Sequence, residues 1–269
     1  MTLYEKLKSE DKFFIIAGPC VLEDEETAFK IAEYLKKETE KRKLAFVFKA
    51  SYCKANRTSV DSYTGPGLKK GLDILNKIKT KFDVPVLTDI HEINEVKEAA
   101  EVVDILQIPA FLSRQTFLLS ESARSNKIIN IKKAQFMAPE DINSAAQKCV
   151  SEGNNQILVT ERGSSFGYHN LVVDFRSFPI MKRFGFPVIY DVTHSLQRPS
   201  DGKTTGGNPE FAPIMARSAI ASGNVDGLFI ETHPEPSKAK SDAATMLKLE
   251  KLPDLLDECI IIKNALKGE

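Results

Sequence analysis

The sequence predicts an α/β protein, a single (β/α)8 TIM barrel with a short N-terminal extension. Eight apolar runs alternate along the chain with amphipathic stretches of helical period, which is the pattern of repeated strand–helix units. No Pro- or Gly-rich linker or change of composition divides the 269 residues, a length close to the roughly 250 residues typical of this fold. We therefore expect residues 1–12 to form the extension, capping the barrel base, and residues 13–269 to form the barrel.

An open, doubly wound parallel sheet is the alternative architecture, since it also alternates strands with helices. Two features favour the barrel. The number of predicted strands is eight, and no glycine-rich phosphate-binding loop follows the first of them.

The predicted strands are short apolar runs bounded by polar or turn residues. The clearest is Leu44-Ala45-Phe46-Val47-Phe48, whose unbroken apolar character is typical of a parallel strand buried on both faces. In chain order the predicted strands cover residues 13–20, 44–51, 84–90, 105–109, 128–133, 156–163, 187–194 and 227–233.

The predicted helices fill the intervals between these strands. Pro139-Glu140-Asp141 is a favourable start, because proline suits the first turn and acidic side chains complement the helix dipole. Gly153 and Gly223 are suitable stops. In chain order the helices cover residues 24–41, 66–82, 93–100, 115–125, 139–152, 174–184, 208–222 and 252–266. The longest irregular stretch, residues 195–208, is interpreted either as a lid or as a surface insertion.

Charge and cysteine content exclude several classes of protein. Lys+Arg and Asp+Glu both number 37, so the chain lacks the basic excess of a general nucleic-acid or membrane-surface binder. No stretch approaches the ~20 apolar residues of a membrane span, and the start carries no signal segment. The cysteines at 20, 53, 149 and 259 form no CxxC pair, which is typical of single thiols in a reducing compartment. We therefore expect a cytoplasmic protein.

Polar or chemically active residues stand at the ends of the predicted strands, where barrels of this kind carry their functional sites. Taken singly, each has a structural explanation: Cys20 suits a small buried position, Asp89 a helix cap and His194 a core histidine. Taken together they fall into two chemical sets. In chain order they are Cys20, Lys49, Asp89, Gln107, Lys132, Arg162, His194 and Glu231.

The first set consists of cations, which would repel one another at one barrel mouth unless anions bind between them. Its densest part runs from Lys49 to Ser59, where amide and hydroxyl donors suited to phosphate accompany the charges. A solvated basic loop is the alternative interpretation of that segment alone. The set suggests one or two substrates that carry phosphate and carboxylate groups. Its members are Lys49, Lys54, Arg57, Lys132 and Arg162.

The second set is a possible metal site. A thiol, an imidazole and two carboxylates suit Zn²⁺ or Fe²⁺ better than Mg²⁺. The ligands would come from strands one, seven and eight, which are neighbours in a closed barrel, and from the loop after strand eight. No local metal motif is present, so a buried thiol with unrelated polar groups is the alternative. The members are Cys20, His194, Glu231 and Asp242.

These residues lie in motifs that resemble the 3-deoxy-D-manno-octulosonate 8-phosphate synthase family, also called 2-dehydro-3-deoxyphosphooctonate aldolases. The resemblance spans residues 13 to about 245. Two departures are mild: Thr58 stands where serine is usual, and Phe117 where the family often has aspartate. The motifs are Phe48-Lys49-Ala50-Ser51, Lys54-Ala55-Asn56-Arg57-Thr58-Ser59, Asp191-Val192-Thr193-His194, Thr160-Glu161-Arg162-Gly163, Glu231-Thr232-His233, and residues 107–116 and 130–136.

The resemblance implies a transferase of lipopolysaccharide (Kdo) biosynthesis that condenses phosphoenolpyruvate with D-arabinose 5-phosphate and water, and releases inorganic phosphate. The alternative is the related 3-deoxy-D-arabino-heptulosonate 7-phosphate synthases, which use erythrose 4-phosphate. They carry a Lys-Pro-Arg-Thr tetrapeptide where this chain has Lys54-Ala55-Asn56-Arg57, and this difference favours the eight-carbon product. The family also implies a homotetramer.

The resemblance further implies substrate-binding roles for single residues. Lys49 and Asp89 would lie against the reactive end and hydroxyls of the sugar, and Arg114, opening the helix after strand four, would reach the sugar phosphate of a neighbouring subunit. The residues expected to hold phosphoenolpyruvate are Lys54, Gln107, Lys132 and Arg162, and those expected to hold the sugar phosphate are Asn56, Arg57 and Thr58.

The second set matches the metal ligands of the metal-dependent branch of the family. In the metal-free branch an asparagine replaces the cysteine, so Cys20 implies a divalent transition metal, Zn²⁺, Fe²⁺, Mn²⁺ or Co²⁺. The residues expected to take part in catalysis are Cys20, Lys49, Lys54, Asp89 and His194. A non-catalytic phosphosugar-binding barrel and a class I-type aldolase with a Schiff base on Lys49 or Lys132 are the rival hypotheses.

Overall fold

Eight parallel strands close into a barrel in the computed structural model, which describes residues 1–9, 11–57, 59–199 and 206–268. Each strand pairs with the next, and the eighth pairs with the first over a register from Phe14↔Gly227 to Gly18↔Glu231. The predicted (β/α)8 class is therefore confirmed. The barrel strands are Phe14–Gly18, Phe46–Lys49, Val86–Asp89, Ile105–Ile108, Ile128–Lys132, Ile157–Glu161, Val188–Asp191 and Gly227–His233.

The predicted strands extend beyond the observed ones at every strand except the last. Strand two ends at Lys49 instead of Ser51, although Ser51 is fully buried and forms an isolated bridge with Val21. An apolar run indicates that a segment is buried, not that it pairs with a neighbouring strand. The predicted strands therefore include residues that stay buried after the chain has left the sheet.

Helices on the outside of the barrel connect its strands, while the helix Leu3–Lys8 precedes the first strand and the helix Leu252–Lys267 follows the last. The predicted helix over residues 174–184 is shorter than expected, because the Asp174 side chain accepts the Arg176 N–H at 3.0 Å and forms a turn before the helix. The described helices are Leu3–Lys8, Glu25–Lys41, Leu68–Phe82, Val96–Val102, Thr116–Arg124, Ile142–Ser151, Ser177–Lys182, Ala212–Ala221 and Leu252–Lys267. Short 3₁₀ turns are Ile93–Glu95, Ala110–Leu112, Pro139–Asp141, His194–Leu196, Pro209–Phe211, Pro236–Lys238 and Leu249–Lys251.

The stretch over residues 195–208 is partly regular, which corrects the expectation of an irregular loop. Gln197–Arg198 pairs antiparallel with Gly206–Gly207, while residues 200–205 lie outside the described part of the chain. A Cβ at Gly207 would lie 2.1 Å from Thr245 Cγ2, so this arm approaches the loop after strand eight too closely for a larger residue. Whether the stretch acts as a lid stays a prediction. Three further short strands are Ser164–Ser165, paired with Leu171–Val172, and Leu247–Lys248, paired with strand eight.

The lower half of the barrel interior is apolar and is closed by the N-terminal helix. Side chains at alternate positions point inward, and Leu7 of the helix Leu3–Lys8, 1% exposed, packs among them. Tyr4 also donates its hydroxyl to the Ile157 carbonyl at 3.3 Å. The residues before the barrel therefore cap its base, while the boundary at residue 12 stays a prediction. The interior cluster comprises Leu7, Phe14, Ile16, Ala45, Val47, Leu87, Ile105, Ile128, Leu158, Ile189 and Phe229.

A second, larger apolar core fills the space between the strands and the surrounding helices, with residues such as Ile15, Leu75, Ile131 and Leu256. None of the described helices is long and apolar enough to span a membrane.

Leu7→Ala should destabilise the fold by about 2–4 kcal/mol, because it leaves a cavity at the base of the interior cluster. Urea unfolding followed by circular dichroism measures this loss. Lys6→Ala, an exposed change on the same helix, should leave the free energy of unfolding almost unchanged. Equal stability of the two variants would show that the helix does not close the barrel.

Candidate active site

The polar residues near the strand ends surround one mouth of the barrel. They line a cavity of about 350 Å³, which adjoins a second cavity of about 390 Å³. Lys54, Asn56 and Arg162 line both cavities, so the two form one divided site. Other candidate residues along the first cavity are Lys49, Asp89, Gln107, Lys132 and His194, and along the second Arg57, His194 and Asp242.

The two-residue period of the strands explains why these side chains converge. On strand five, Ile128 belongs to the interior cluster, and Asn130 and Lys132 follow it on the same face. On strand four, Ile105 of the cluster precedes Gln107 in the same way. Each of these strands changes from apolar to polar as it rises, so the barrel has an apolar base and a polar mouth.

His194 does not end strand seven, which corrects the expectation from sequence. The strand stops at Asp191, whose Oδ1 accepts the His194 backbone N–H at 2.9 Å and so starts the 3₁₀ turn His194–Leu196. The fully buried Asp191 carboxylate also lies 2.7 Å from His194 Nδ1. Sequence reasoning gave Asp191 no role, although the alternation from Ile189 to Asp191 identifies it as the inward-facing residue.

The four candidate metal ligands come together at the mouth. The ligand atoms of Cys20, Glu231 and Asp242 all lie within 4.8 Å of one another, with Cys20 Sγ 3.0 Å from Asp242 Oδ2. His194 Nε2 lies 3.5 Å from Glu231 Oε2 and 3.9 Å from Asp242 Oδ2. Glu231 Oε2 is buried and has no hydrogen-bond partner among the described residues. An oxygen in that state has a free lone pair for a cation.

The donor set fits a divalent transition metal. Sulfur, nitrogen and carboxylate donors together suit borderline ions such as Zn²⁺ or Fe²⁺ rather than Mg²⁺. Burial raises the pKa of the Cys20 thiol well above its usual range, and the Asp242 and Glu231 carboxylates raise it further. A bound divalent ion has the opposite effect, since ligation favours the thiolate.

Two lysines at the centre of the site are held by carboxylates. Lys49 Nζ donates to Glu231 Oε1 at 2.5 Å and to the Cys20 carbonyl oxygen at 2.9 Å, with 1% of its side chain exposed. Lys54 Nζ lies 3.9 Å from both Asp89 Oδ2 and Glu231 Oε1. Burial opposes the Lys54 charge, but the neighbouring acidic groups, Cys20 and Glu231 foremost, outweigh it and raise the Lys54 pKa well above its usual value. Lys54 therefore stays a cation.

Lys132 occupies the boundary between the polar mouth and the apolar interior. Its ammonium forms an ion pair with Asp191 and lies 3.3 Å from the centroid of the Phe229 ring. Burial lowers the pKa of Lys132 to about 8, despite the attraction of Asp191. An anion arriving beside Lys132 would favour its charged form again.

Two arginines have donors available for an anion. Arg162 Nη2 donates to Gln197 Oε1 at 2.7 Å, while its buried Nη1 has no partner within the described chain. Arg57 Nη1 donates to Ser241 Oγ at 2.5 Å, and its buried Nε has none among the residues described. Buried donors without partners cost free energy, so an anionic ligand would satisfy both. Thr58, the third candidate of the sugar-phosphate segment, lies outside the described residues.

Arg114 stands apart from this group. It is exposed in the turn between Ala110–Leu112 and the helix Thr116–Arg124, rather than at the start of the helix. Its carbonyl oxygen accepts Lys148 Nζ at 2.9 Å. Phe117, which departs from the family pattern, is 79% exposed on the first turn of that helix. Both side chains are therefore placed on the surface beside the mouth.

Comparison with known proteins agrees with the motifs. Several proteins named 2-dehydro-3-deoxyphosphooctonate aldolase match nearly the whole chain. That of Koribacter versatilis is 50% identical over 258 residues, 94% of this chain and 92% of the relative. That of Geotalea uraniireducens is 50% identical over 263 residues, 97% and 96% of the two chains, and that of Desulfosudis oleivorans is 51% identical over 253 residues, 93% and 90%. The resemblance carried by the motifs is thus confirmed. The model of the DAHP synthetase I family matches residues 6–266, and the chain belongs to that family.

Proposed function

We propose that the chain is a transferase that condenses phosphoenolpyruvate with D-arabinose 5-phosphate and water, giving 3-deoxy-D-manno-octulosonate 8-phosphate and inorganic phosphate. The observation that carries this is the mouth itself. Buried cations, and guanidinium donors that have no partner among the described residues, surround two adjoining cavities, which suits two phosphorylated substrates held side by side. The name shared by the relatives, which refers to the eight-carbon product, supports the same activity.

Phosphoenolpyruvate binds in the first cavity in this proposal. Lys132 and Gln107 line that cavity, and Lys54 and Arg162 stand where it meets the second. The phosphate and the carboxylate of phosphoenolpyruvate need separate cationic partners, which these residues supply. The buried Arg162 Nη1, unpaired in the described chain, gains an acceptor.

The sugar phosphate binds in the second cavity, where Asn56 and Arg57 lie beside the loop that carries Ser241 and Asp242. Thr58 would add a hydroxyl donor to the same phosphate. The open-chain sugar then extends from its phosphate towards Lys49 and Asp89 in the first cavity. This places its aldehyde next to phosphoenolpyruvate, and holding both reactants in this way replaces a bimolecular encounter.

Carbon three of phosphoenolpyruvate is the nucleophile and attacks the sugar aldehyde. Lys49, an ammonium fixed by Glu231, donates a hydrogen bond to the aldehyde oxygen as that oxygen becomes negative. Water adds to the electron-poor carbon two, and its released proton balances the new alkoxide. The tetrahedral product expels phosphate by cleavage of its C–O bond. Lys54 offsets the repulsion between the two polyanions throughout.

A divalent transition metal is proposed between Cys20, His194, Glu231 and Asp242. It would supply Lewis-acid polarisation of an oxygen of the sugar or the water. The protein orients the histidine for this role, because Asp191 lies 2.7 Å from His194 Nδ1 and leaves Nε2 facing the two carboxylates.

The structure offers less support to the rival hypotheses. A Schiff base needs a free amine. Glu231 holds Lys49 in a buried ion pair, and Asp191 holds Lys132, although burial lowers the pKa of Lys132 to about 8. A non-catalytic phosphosugar-binding barrel does not account for the cluster of Cys20, Glu231 and Asp242. A 7-phosphate synthase conflicts with the names of the relatives.

We also place this reaction in lipopolysaccharide (Kdo) biosynthesis, in the cytoplasm. All four cysteines are free thiols, which suits a reducing compartment.

The first prediction of this proposed function concerns the choice of sugar. Purified protein should release inorganic phosphate from phosphoenolpyruvate and arabinose 5-phosphate with kcat/KM about 10²-fold above that for erythrose 4-phosphate, since the shorter sugar leaves polar groups of the site unpaired. Steady-state phosphate release measures both values. A higher kcat/KM with the four-carbon sugar would overturn the assignment, and loss of activity after borohydride treatment with substrate would favour the Schiff-base rival.

The second prediction concerns the metal. Excess chelator should abolish phosphate release by the wild type, and Mn²⁺, Co²⁺ or Zn²⁺ should restore it to differing degrees. Loss of a residue that hydrogen-bonds a metal ligand typically weakens metal binding roughly 10–100-fold. Cys20→Ser should weaken it more, because the variant replaces a direct ligand with a poorer one. Cys20→Asn should retain low activity that the chelator no longer affects. Elemental analysis of dialysed protein measures the metal content directly.

Cys149→Ser is the matched control for the metal experiment. Cys149 is also a fully buried thiol, but it lies on the outer helix Ile142–Ser151, so its variant should keep wild-type metal content. Wild-type protein that holds no metal and turns over undiminished in excess chelator would contradict the proposed metal site.

The third prediction concerns assembly. We propose a homotetramer in which Arg114 reaches the sugar phosphate of a neighbouring subunit, supported by the exposed side chains of Arg114, Phe111 and Phe117. Arg114→Ala should raise KM for the sugar phosphate about tenfold and change kcat little, since lost ground-state binding appears in KM. Arg124→Ala, an exposed arginine of the same segment, should change neither. Light scattering gives the subunit number, and a fully active monomer would refute the proposal.

A further inference from the structure

A row of hydrogen-bonded polar side chains runs along the inner wall of the barrel just below the mouth. Gln107 Nε2 donates to Asp89 Oδ1, and Asn130 Nδ2 donates to Gln107 Oε1 at 2.8 Å. Thr160 Oγ1 donates in turn to Asn130 Oδ1 at 2.7 Å. Ser51 donates to the other oxygen of Asp89. The row connects residues on or just after five consecutive strands, and each of the five side chains is buried.

The Asp89 carboxylate, which lies between Ser51 and Gln107, sets the direction of the bonds in the row. Asp89 can only accept, so the amide nitrogen of Gln107, not its oxygen, faces it. The Gln107 oxygen then faces Asn130, which must present its nitrogen there. The Asn130 oxygen finally faces Thr160, whose hydroxyl donates. Reversing the Gln107 amide would place two oxygens together at Asp89 and two N–H groups together at Asn130. Reversing the Asn130 amide would place its oxygen against the Gln107 oxygen, although the Thr160 hydroxyl can accept as well as donate.

Two members of this row, Gln107 and Asp89, line the first cavity. An amide nitrogen carries two hydrogens, and only one is taken by Asp89. The second is left to a ligand in the cavity. Asn130 and Thr160 stand behind Gln107 and are absent from the described linings of both cavities.

We infer that Asn130 and Thr160 are positioning residues, which lock the Gln107 amide so that it presents an N–H donor to an anionic oxygen of phosphoenolpyruvate. The inference rests on the proposed function, because it takes its ligand from there. Asp89 holds the Gln107 nitrogen, and Asn130, backed by Thr160, holds the Gln107 oxygen. When the second contact is lost, Asp89 alone holds the amide, and its oxygen can turn towards the cavity, where it repels a phosphate or carboxylate. Two buried residues that do not touch the substrate thus select for an anion.

The first test removes the far donor of the row. Thr160→Val keeps the shape of the side chain but leaves Asn130 Oδ1 without its donor. Asn130 then holds the Gln107 oxygen less firmly, and Gln107 is held mainly by Asp89. We expect the Kd for phosphoenolpyruvate, measured by titration calorimetry, and its KM to rise about 5- to 10-fold, which corresponds to one hydrogen bond. Thr160→Ser keeps the hydroxyl and should restore both values.

Thr39→Val is the matched control for this substitution. Thr39 is also buried, and its hydroxyl donates to the Leu35 carbonyl at 2.8 Å within the outer helix Glu25–Lys41. The same loss of a buried hydroxyl should lower stability there without changing the Kd for phosphoenolpyruvate. The two valine variants therefore separate positioning from general destabilisation.

The second test reverses one contact and uses pH to restore it. The carboxylate created by Asn130→Asp can only accept, so Gln107 lies between two acceptors and satisfies just one of them. At lower pH the new carboxyl gains a proton and donates to Gln107 Oε1, as Asn130 does. The ratio of kcat/KM of the variant to that of the wild type should therefore rise as the pH falls, whereas a purely structural defect gives a constant ratio.

The outcomes distinguish this inference from the proposed function. Wild-type protein that binds phosphoenolpyruvate but does not condense it would refute the function alone. Equal Kd values for wild type and Thr160→Val would refute the inference alone, as would a loss of affinity in Thr160→Val that Thr160→Ser shares. Wild-type protein without affinity for phosphoenolpyruvate would overturn both.

Discussion

The site depends on the compensation of buried charge across the barrel. Lys49 of strand two pairs with Glu231 of strand eight, and Lys132 of strand five pairs with Asp191 of strand seven. In each pair the two strands are not hydrogen-bonded neighbours but flank a third strand. The Lys49–Glu231 pair therefore forms only when strand eight has closed against strand one, whereas the Lys132–Asp191 pair needs the consecutive strands five to seven. Removing one partner of a buried ion pair costs about 3–5 kcal/mol. Correct closure of the barrel and correct assembly of the site therefore depend on each other.

The apolar base supplies stability that the polar mouth does not. Buried ion pairs contribute little net stability, so the free energy of folding has to come from the interior cluster and from the outer core. Phe229 marks the boundary, with the apolar cluster below it and the Lys132 ammonium against its ring. The N-terminal helix completes the base through Leu7. Stability is thus concentrated at the end of the barrel opposite the cavity, and the mouth is left free for charges that binding requires.

The fold could be predicted from sequence because apolar runs and helical periods are local properties. Strand ends were less accurate: the predicted strand seven extends through Asp191 and Val192 to His194, whereas the observed strand stops at Asp191, the residue that the prediction left without a role. Asn130 and Thr160 were missed for another reason. They lie on the inward face below the strand ends, and their importance comes from partners on neighbouring strands. A single sequence indicates which side chains point inward but not the register between neighbouring strands. Contacts between residues on different strands could therefore be identified only from the structure.

Glu231 connects the two halves of the chemistry, since its oxygens have different partners. Oε1 accepts from Lys49, and Oε2 lies 3.5 Å from His194 within the candidate metal cluster. If the proposed metal were bound, Glu231 would still have Oε1 for its contact with Lys49. Lys49 is also held by the backbone carbonyl of Cys20 rather than by its thiol. In the proposed reaction, the Lys49 ammonium is thus positioned by groups that do not change when the Cys20 side chain does. This independence is a physical reason to expect that Cys20→Asn leaves Lys49 in place.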